Sequence, residues 1–287
     1  MKPNIGKKTK SIKIEVNRLR SYLLEILISA GMNQQDAFIT SEVLIEAELR
    51  GFSLHGVERI LQILQGISKK TLNVHAKPRY LKKNSAVSVI DGAFCVGHPI
   101  AHKAMHLAVK KAHKNGVGIV GVINSGHIGM LSYYSEIAST NQCVGLVMST
   151  TLPSVVIAGG STKTFGSNPI SYSFPSSSLP ITADFSTSKM SISKFMALLR
   201  QDQNIPPGTA VDKNGQNTLN PSEALHGGIH TLDGNIKGSM ISMLVSVMAG
   251  NLIGGVINPN VKGNKTMDDS PTKGDFLECM TAPFCIN

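Results

Sequence analysis

Tryptophan is absent from this sequence, and aromatic residues make up only 5% of its 287 residues. The core must therefore be filled by aliphatic side chains and by the twelve methionines, whose flexible thioethers fill irregular gaps. With 41% hydrophobic residues, the chain is long enough to bury one large core or two modest ones. This composition is typical of an α/β enzyme.

Cysteine is also scarce. Cys95, Cys143, Cys279 and Cys285 lack the close paired spacing of a zinc site, and four cysteines are too few for a disulfide-stabilised scaffold in a chain of this length. We therefore expect no bound metal and a reducing compartment, the cytoplasm.

Long hydrophobic runs are missing too. The longest extends from Met240 to Ile253 and contains Ser242, Ser246 and Asn251, so it is too short and too polar to cross a bilayer. We interpret it as a buried helix and expect no membrane partner. No apolar stretch of the kind found in secretory signals follows the N-terminal residues.

Acidic residues are few, and 18 of them against 28 lysines and arginines leave a formal net charge of +10. The basic residues are spread along the chain without an interleaved aromatic motif, which argues against a nucleic-acid partner. One local cluster, near the N-terminus, is best interpreted as a solvated tail; it comprises Lys2, Lys7, Lys8, Lys10 and Lys13. A basic surface also attracts anionic dinucleotides and carboxylates.

Hydrophobic periodicity predicts an α/β chain that begins with helices. The predicted helices cover 16–30, 33–50, 57–64, 98–115, 127–139, 190–201 and 239–253. The predicted strands cover 86–90, 117–123, 144–149, 170–174 and 181–185. Asp91-Gly92 predicts a turn after the first strand. We predict that the chain divides into three interwoven regions. They are an N-terminal helical segment (1–85) that dimerises and carries a histidine, an α/β core (86–255), and an irregular C-terminal segment without a clear core element (256–287).

The residues Gly116-Val117-Gly118-Ile119-Val120-Gly121 match the letters of a dinucleotide-binding fingerprint. That fingerprint must follow a strand and open a helix, so that its amides meet a pyrophosphate. Here the glycines follow a predicted helix and enter a strand. We interpret the match as accidental, and we likewise interpret His102 and His106 as a solvated helix face rather than a metal pair.

Two histidines lie between glycines. His127 follows a predicted buried strand, and the carboxyl ends of strands are where ligands usually bind in α/β sheets. His55 lies at a helix junction. Asp184 ends another predicted strand, where it would cap the next helix or raise the basicity of a histidine.

Taken together, these segments resemble the malate/L-lactate dehydrogenase family, which includes ureidoglycolate and L-sulfolactate dehydrogenases. The resemblance follows the order of the chain and lies in Arg50-Gly51, His55-Gly56-Val57, Arg59, Asp91-Gly92, Gly97, Ser125-Gly126-His127-Ile128-Gly129, Tyr133-Tyr134, Gly159-Gly160, Phe165-Gly166-Ser167-Asn168-Pro169-Ile170, Asp184-Phe185-Ser186-Thr187-Ser188, Lys237-Gly238 and Met248-Ala249-Gly250.

The resemblance implies a homodimeric oxidoreductase that transfers a hydride between NAD or NADP and a small 2-hydroxy or 2-oxo acid. It implies an α/β fold like that of L-sulfolactate dehydrogenase, with a mixed sheet, flanking helices and an N-terminal helical subdomain, which is not a Rossmann fold. His55 or His127 would transfer the proton, Asp184 would support it, and Arg50 or Arg59 would hold the carboxylate. The implied cofactor-binding residues are Thr151, Asp184, Phe185, Ser186, Thr187, Lys237 and Gly238.

Two departures from the family pattern leave an alternative open. Ser53-Leu54 stands where relatives usually have Asp-Ser before the histidine, and relatives usually continue for some tens of residues beyond the equivalent of Pro283. The alternative is a catalytically weakened or inactive relative that retains dimerisation and ligand binding.

Overall fold

The computed structural model describes residues 12–263 and 267–282, so Lys2, Lys7, Lys8, Lys10 and Cys285 lie outside the described residues. Its helices are α1 (Val16–Ser29), α2 (Gln34–Leu49), α3 (Arg59–Ser68), α4 (Gly97–Asn115), α5 (Ser132–Thr140), α6 (Ile192–Arg200), α7 (Pro221–Ala224) and α8 (Ile236–Met248), with short 3-10 turns at Ser53–His55 and Asn251–Ile253. Its strands are β1 (Arg79–Lys83), β2 (Val87–Cys95), β3 (Val117–Ser125), β4 (Cys143–Ser149), β5 (Val155–Val156), β6 (Lys163–Phe165), β7 (Ile170–Phe174), β8 (Ile181–Phe185), β9 (Ala210–Val211), β10 (Asn217–Thr218), β11 (Gly228–His230) and β12 (Gly274–Thr281).

The main sheet has seven strands in the order β1-β2-β3-β12-β4-β7-β8. Among the described strands of this sheet only β2 and β3 run parallel, whereas a Rossmann sheet is mostly parallel. A smaller sheet has the order β10-β9-β11-β5-β6. The predicted fold class, a mixed α/β architecture that is not Rossmann, is confirmed.

The N-terminal helices form where capping and periodicity place them. Asn33 precedes α2, and its side-chain oxygen accepts a hydrogen bond from the Asp36 amide, which satisfies one orphan donor of the first turn. Leu27, Leu44 and Ile60 from α1, α2 and α3 pack in one buried cluster. These helices support the 3-10 turn that carries His55.

The C-terminal segment corrects the prediction that 256–287 holds no core element. Strand β12 lies in the centre of the main sheet, between β3 and β4, with Phe276 opposite Gly121 on one side and Met148 on the other. The strand was missed because the buried Asp275 and the half-buried Glu278 interrupt its apolar pattern. The regional boundaries at 85 and 255 stay predictions.

The predicted turn at Asp91-Gly92 is also wrong. Strand β2 continues to Cys95 through an irregularity in its pairing with β3, and Ala93 and Phe94 adopt positive φ values of 50° and 61°. A β-bulge inserts residues and bends a strand without ending it. The chain therefore bulges where the sequence pattern indicated a turn.

Helix α8 is less buried than predicted. Ile236, Met240 and Met243 are half or more exposed, while Ser242, Val245 and Ser246 face inward. The stretch Ile236–Ile253 is long and apolar enough to span a membrane by length and composition alone, with a mean hydropathy of 1.5. This is weak evidence, because core helices of soluble proteins meet the same criterion.

The glycines of the apparent fingerprint serve helix–strand packing. Gly116 ends α4 in the left-handed region, at a φ of 82°. A Cβ on Gly118 would lie 2.0 Å from the Ala108 carbonyl oxygen, and one on Gly121 would lie 2.5 Å from the side chain of Ile253. The interpretation of this match as accidental is supported, because the glycines end a helix and enter β3.

We expect Gly118→Ala to destabilise the chain by about 1–3 kcal/mol, because α4 must move away from β3 to admit the methyl group. Gly116→Asn is the matched control, since its Cβ meets nothing within 4 Å and asparagine tolerates positive φ. Urea unfolding of the two variants checks this, and equal stabilities would contradict it.

Candidate active site

A cleft of about 690 Å³ separates the N-terminal helical region from the sheet edge. Its walls come from the 3-10 turn at Ser53–His55, α3, the loop after β3, the ends of β4 and β8, and α6. The volume lies within the range of ligand sites in enzymes. The two predicted histidines, Arg59, Asp184 and three other predicted residues reach this region.

His55 and His127 lie together in the cleft. Their rings are stacked, with centroids 5.4 Å apart and planes inclined by only 6°. The two residues are separated by more than seventy positions in sequence, so the fold has brought the two predicted histidines together. Nδ1 of His55 is buried without a hydrogen-bond partner among the described residues.

The loop between β3 and α5 fixes the ring of His127. The predicted helix 127–139 begins only at Ser132, and the residues before it form an open loop. Nδ1 of His127 accepts a hydrogen bond of 3.0 Å from the amide of Gly129, which adopts a φ of 79°. In the neutral ring, the proton is therefore on Nε2. His127 thus presents Nε2–H as a donor in its resting form.

The electrostatic environment keeps the histidines neutral. Burial, followed by the charge of Arg59, lowers the pKa of His55 to about 4. Burial, with smaller effects of Arg59, His55, His98 and Lys273, lowers the pKa of His127 well below its usual value. Burial is again the main cause for His98, whose pKa falls to about 3.

His98 is a third histidine that the sequence reasoning did not single out as a site residue. It lies on α4, is 1% exposed, and has its ring centroid 6.4 Å from that of His127. Neither of its ring nitrogens has a hydrogen-bond partner among the described residues. A glycine-flanked loop indicated His127, whereas nothing in the helix pattern distinguished His98.

These depressed pKa values predict a loss of stability in acid. The unfolded histidines titrate near 6.5, so their neutral burial contributes full stability above that pH, and the contribution is lost progressively as the pH falls toward about 4 and 3. Each fully depressed histidine contributes about 1.4 kcal/mol per pH unit in this window. Urea unfolding between pH 8 and pH 4.5 measures the slope.

His98→Leu is expected to reduce this slope by about one proton while it retains the apolar packing of α4. An unchanged slope in that variant would show that His98 does not resist protonation.

The lining of the cleft contains two arginines. Arg200 is 57% exposed and pairs with Glu58 at 4.0 Å, whereas the more buried one is Arg59. Its guanidinium donates hydrogen bonds to the Leu54 carbonyl at 2.7 Å, to Gln62 at 2.8 Å and to Ser193 at 3.0 Å. No carboxylate of the described chain forms an ion pair with it, and burial lowers its pKa. A partly buried cation without an acidic partner suits an anionic ligand.

Arg50, the other predicted carboxylate ligand, lies outside the cleft. Its guanidinium makes a bidentate contact with Glu136 at 2.6 and 2.7 Å and also binds Glu46. The fork is therefore fully engaged by acidic side chains. Of the two alternatives, the structure brings only Arg59 to the histidines.

Four of the predicted cofactor residues line the same cleft: Thr151, Asp184, Phe185 and Ser186. Asp184 accepts a 2.8 Å hydrogen bond from the amide of Ser132 at the start of α5, and no hydrogen bond joins it to His55 or His127 in the described chain. Its pKa is raised by burial. Asp184 thus orients α5 and the loop before it, and through them the loop that carries His127.

The remaining predicted cofactor residues are Thr187, Lys237 and Gly238. Thr187 is buried, and its hydroxyl accepts a hydrogen bond from Ser242 on α8. Lys237 and Gly238 lie in the first turn of α8, where the Gly238 amide donates to Asp233. None of these three residues is in the lining of the cleft.

Sequence reasoning also missed Lys273, Asp275 and Ser149. Lys273 and Ser149 line the cleft, and Lys273 is 1% exposed with its Nζ 2.6 Å from Asp275 Oδ1. Lys273 and Asp275 were missed because β12 was not predicted. Ser149 ends the predicted strand 144–149, and nothing in its pattern distinguished this serine.

His102 and His106, predicted to form a solvated helix face, lie on α4 outside the cleft lining with ring centroids 4.5 Å apart. His106 is exposed, whereas His102 is partly buried. The described residues contain no group of three metal-ligating side chains.

Residues 14–285 match the malate/L-lactate dehydrogenase family. The chain belongs to this family. It is 37% identical over 258 residues to the malate/(S)-sulfolactate dehydrogenase of Methanothermus fervidus, with 90% of this chain and 76% of the relative covered. It is 33% identical over 253 residues to the L-sulfolactate dehydrogenase of Methanothermobacter thermautotrophicus, with 88% and 74% covered.

The fold comparison agrees. The sulfolactate dehydrogenase from Methanocaldococcus jannaschii superimposes with a TM-score of 0.88 and 31% identity, covering 94% of this chain and 78% of that one. Membership confirms the predicted class, an oxidoreductase of small hydroxy acids. It also confirms the family resemblance seen in the glycine-flanked histidine motifs.

Proposed function

We propose that this chain transfers a hydride between NAD or NADP and the C2 carbon of a small 2-oxo or 2-hydroxy acid, and that the cleft is its active site. The observation that carries the proposal is the placement of the stacked His55 and His127 beside Arg59 in one cleft. A 2-oxo acid needs a proton donor at its oxygen and a cation at its carboxylate, and this cleft offers both.

Each of these residues has a distinct role in the proposal. Arg59 binds the substrate carboxylate with its guanidinium fork. His127 donates a hydrogen bond from Nε2 to the 2-oxygen, and His55 transfers the proton. Asp184 orients the start of α5, and through it the loop of His127. In hydroxy-acid oxidation His55 accepts the hydroxyl proton, which suits a histidine that is neutral at pH 7 because its pKa is lowered to about 4.

The residues of the cleft fit a nicotinamide dinucleotide. Thr151, Ser186 and Asp184 provide polar atoms, and Phe185 provides an aromatic face, along the wall next to the histidines. The bound cofactor would supply or accept the hydride. Lys237 and Gly238, in the first turn of α8, would hold a phosphate-bearing part, where the helix N-terminus favours an anion.

The described residues around Leu54 support an active enzyme rather than a weakened relative. Leu54 replaces a polar side chain, but it acts through its backbone carbonyl, which accepts the hydrogen bond from Arg59 Nε. Both histidines remain in place beside it. Loss of the usual Asp-Ser pair therefore leaves the carboxylate site assembled.

We propose in addition a cytoplasmic homodimer without a nucleic-acid or membrane partner. The free thiols of Cys95, Cys143 and Cys279 suit a reducing compartment. The exposed apolar side chains of α8 suit burial against a second subunit. Light scattering of the purified chain measures the mass, and a monomer at micromolar concentration would contradict the dimer.

A panel assay tests the activity. The purified chain is incubated with NADH or NADPH and with pyruvate, oxaloacetate or sulfopyruvate, and the 2-hydroxy acid formed is identified by mass spectrometry. We expect reduction of at least one acid with one of the cofactors. A folded chain that reduces none of them with either cofactor would contradict the proposal.

A further inference from the structure

A buried ion pair lies at the start of β12, next to the cleft. Lys273 Nζ lies 2.6 Å from Asp275 Oδ1 and 2.5 Å from Oδ2, and the two side chains are 1% and 0% exposed. Asp275 also accepts hydrogen bonds from Ser149 at 2.6 Å and from Ser125 at 3.2 Å. The carboxylate is saturated, so the orientation of the ammonium is fixed.

Lys273 retains one donor. An ammonium has three N–H groups, and its hydrogen bonds within the described chain go only to the two oxygens of Asp275. The same residue lines the cleft together with His127 and Ser149. The third N–H of Lys273 is therefore available to a ligand in the cleft.

Stability does not explain the pair. Bringing two charges out of water costs several kcal/mol for each ion, and buried pairs are often replaced by neutral residues without loss of stability. A lysine held by a carboxylate at the wall of a cleft is therefore better explained by a ligand. The positive charge of Lys273 complements the negative charge that develops on a carbonyl oxygen when a hydride is transferred to the carbonyl carbon.

We propose, on the basis of the dehydrogenase activity proposed above, that Lys273 is a further catalytic residue that donates a hydrogen bond to the 2-oxygen of the substrate, with Asp275 as its positioning residue. In the reduction, the hydride forms the new C2–H bond and the carbonyl π electrons move to the oxygen. His55, in its protonated form, supplies the proton that completes the hydroxyl group and returns to its neutral form. Lys273 keeps its own proton and stabilises the negative charge on the oxygen.

A double variant separates this role from a structural one. Lys273→Met alone leaves a buried carboxylate unpaired, so it is combined with Asp275→Asn, which removes both charges. We expect the double variant to fold and to bind NADH or NADPH, while kcat falls about 10²- to 10³-fold, as for loss of one oxyanion donor, and KM changes much less.

Lys111→Met is the matched control. Lys111, on α4, is another nearly buried lysine, and it donates to the carbonyls of Asn84 and Ser85. It is not in the lining of the cleft. This variant is expected to keep the kcat of the unaltered chain. A folded double variant with that same kcat would overturn the role of Lys273 but leave the proposed function intact.

A crystal structure of the unaltered chain with NADH and oxamate, an unreactive 2-oxo acid analogue, provides a second test that depends on no variant. We expect Lys273 Nζ within about 2.7–3.2 Å of the analogue's 2-oxygen. Oxamate bound between Arg59 and His127 with that oxygen beyond hydrogen-bond reach of Nζ would overturn the assignment of Lys273 alone. Oxamate and cofactor bound elsewhere would contradict the proposed function as well.

Discussion

Replacing His127 with alanine is expected to lower kcat for the oxidation of the 2-hydroxy acid by about 10²- to 10³-fold, the usual effect of removing one positioned hydrogen-bond donor at the reacting oxygen. The ring is fixed by the Gly129 amide and stacked on His55, so no neighbouring side chain replaces it. KM is expected to change less than kcat, because Arg59 still holds the carboxylate. Steady-state kinetics of the folded variant measures both parameters.

His113→Ala is the control for this substitution. His113 lies exposed in the last turn of α4, outside the cleft, and its removal is expected to leave kcat unchanged. His55→Ala is expected to lower kcat by orders of magnitude as well. A near-normal rate in the His127 or the His55 variant would show that the replaced histidine takes no part in the reaction.

The pH dependence of kcat/KM gives an additional readout. Because burial and the charge of Arg59 lower the pKa of His55 to about 4, its neutral form persists below pH 6.5. The oxidation rate, which needs a neutral histidine, is therefore expected to stay level down to that pH and to fall only in stronger acid. A decline that begins above pH 7 would contradict a neutral, buried histidine pair.

Replacing Arg59 with methionine is expected to have the second large effect, an increase in KM for the 2-oxo acid. Removal of one partner of a desolvated charge pair costs about 2–5 kcal/mol, which corresponds to roughly 30- to 4,000-fold at 1.4 kcal/mol per tenfold change. Arg59→Lys is expected to recover part of the loss, since it keeps the charge but not the fork.

A comparison of pyruvate with pyruvamide isolates the carboxylate contact. The unaltered chain is expected to prefer pyruvate strongly, and Arg59→Met is expected to lose most of that preference. Arg79→Met serves as control, because Arg79 is exposed on β1 and pairs with Asp91. An Arg59 variant that still prefers the acid to the same degree would show that another group binds the carboxylate.

Much of the fold follows from local sequence patterns. Helices α1, α2 and α4 have regular apolar spacing and recognisable ends, such as Asn33 before α2 and Gly116 after α4. Helix α8 was located correctly, but its burial was not. Apolar content indicates that a segment is ordered, whereas its exposure depends on what packs against it.

The proposed catalytic centre was only partly predictable. His55 and His127 were indicated by the glycines around them, which allow close approach of a ligand. The choice between Arg50 and Arg59 depends on Glu136, which lies 86 positions from Arg50 and engages its guanidinium. Such a partner is set by tertiary structure, so the sequence left both arginines open.

The charged residues Lys273 and Asp275 prevented the prediction of β12 from the sequence. Asp275 and Lys273 gave the segment before Thr281 a polar character, although both side chains lie inside the sheet. Their burial becomes intelligible only when β12 is placed between β3 and β4, beside Ser125 and Ser149. A central strand that carries an ion pair does not show the apolar alternation on which strand prediction depends.

The most direct test of the account follows one hydrogen atom. The purified chain is supplied with NADH or NADPH carrying deuterium on the transferable C4 position, together with the 2-oxo acid that it reduces best. The account predicts that the label appears on C2 of the 2-hydroxy acid, because the hydride moves directly from cofactor to substrate within the cleft. A product formed without deuterium at C2, or a folded chain that forms no product from any acid of the panel, would contradict it.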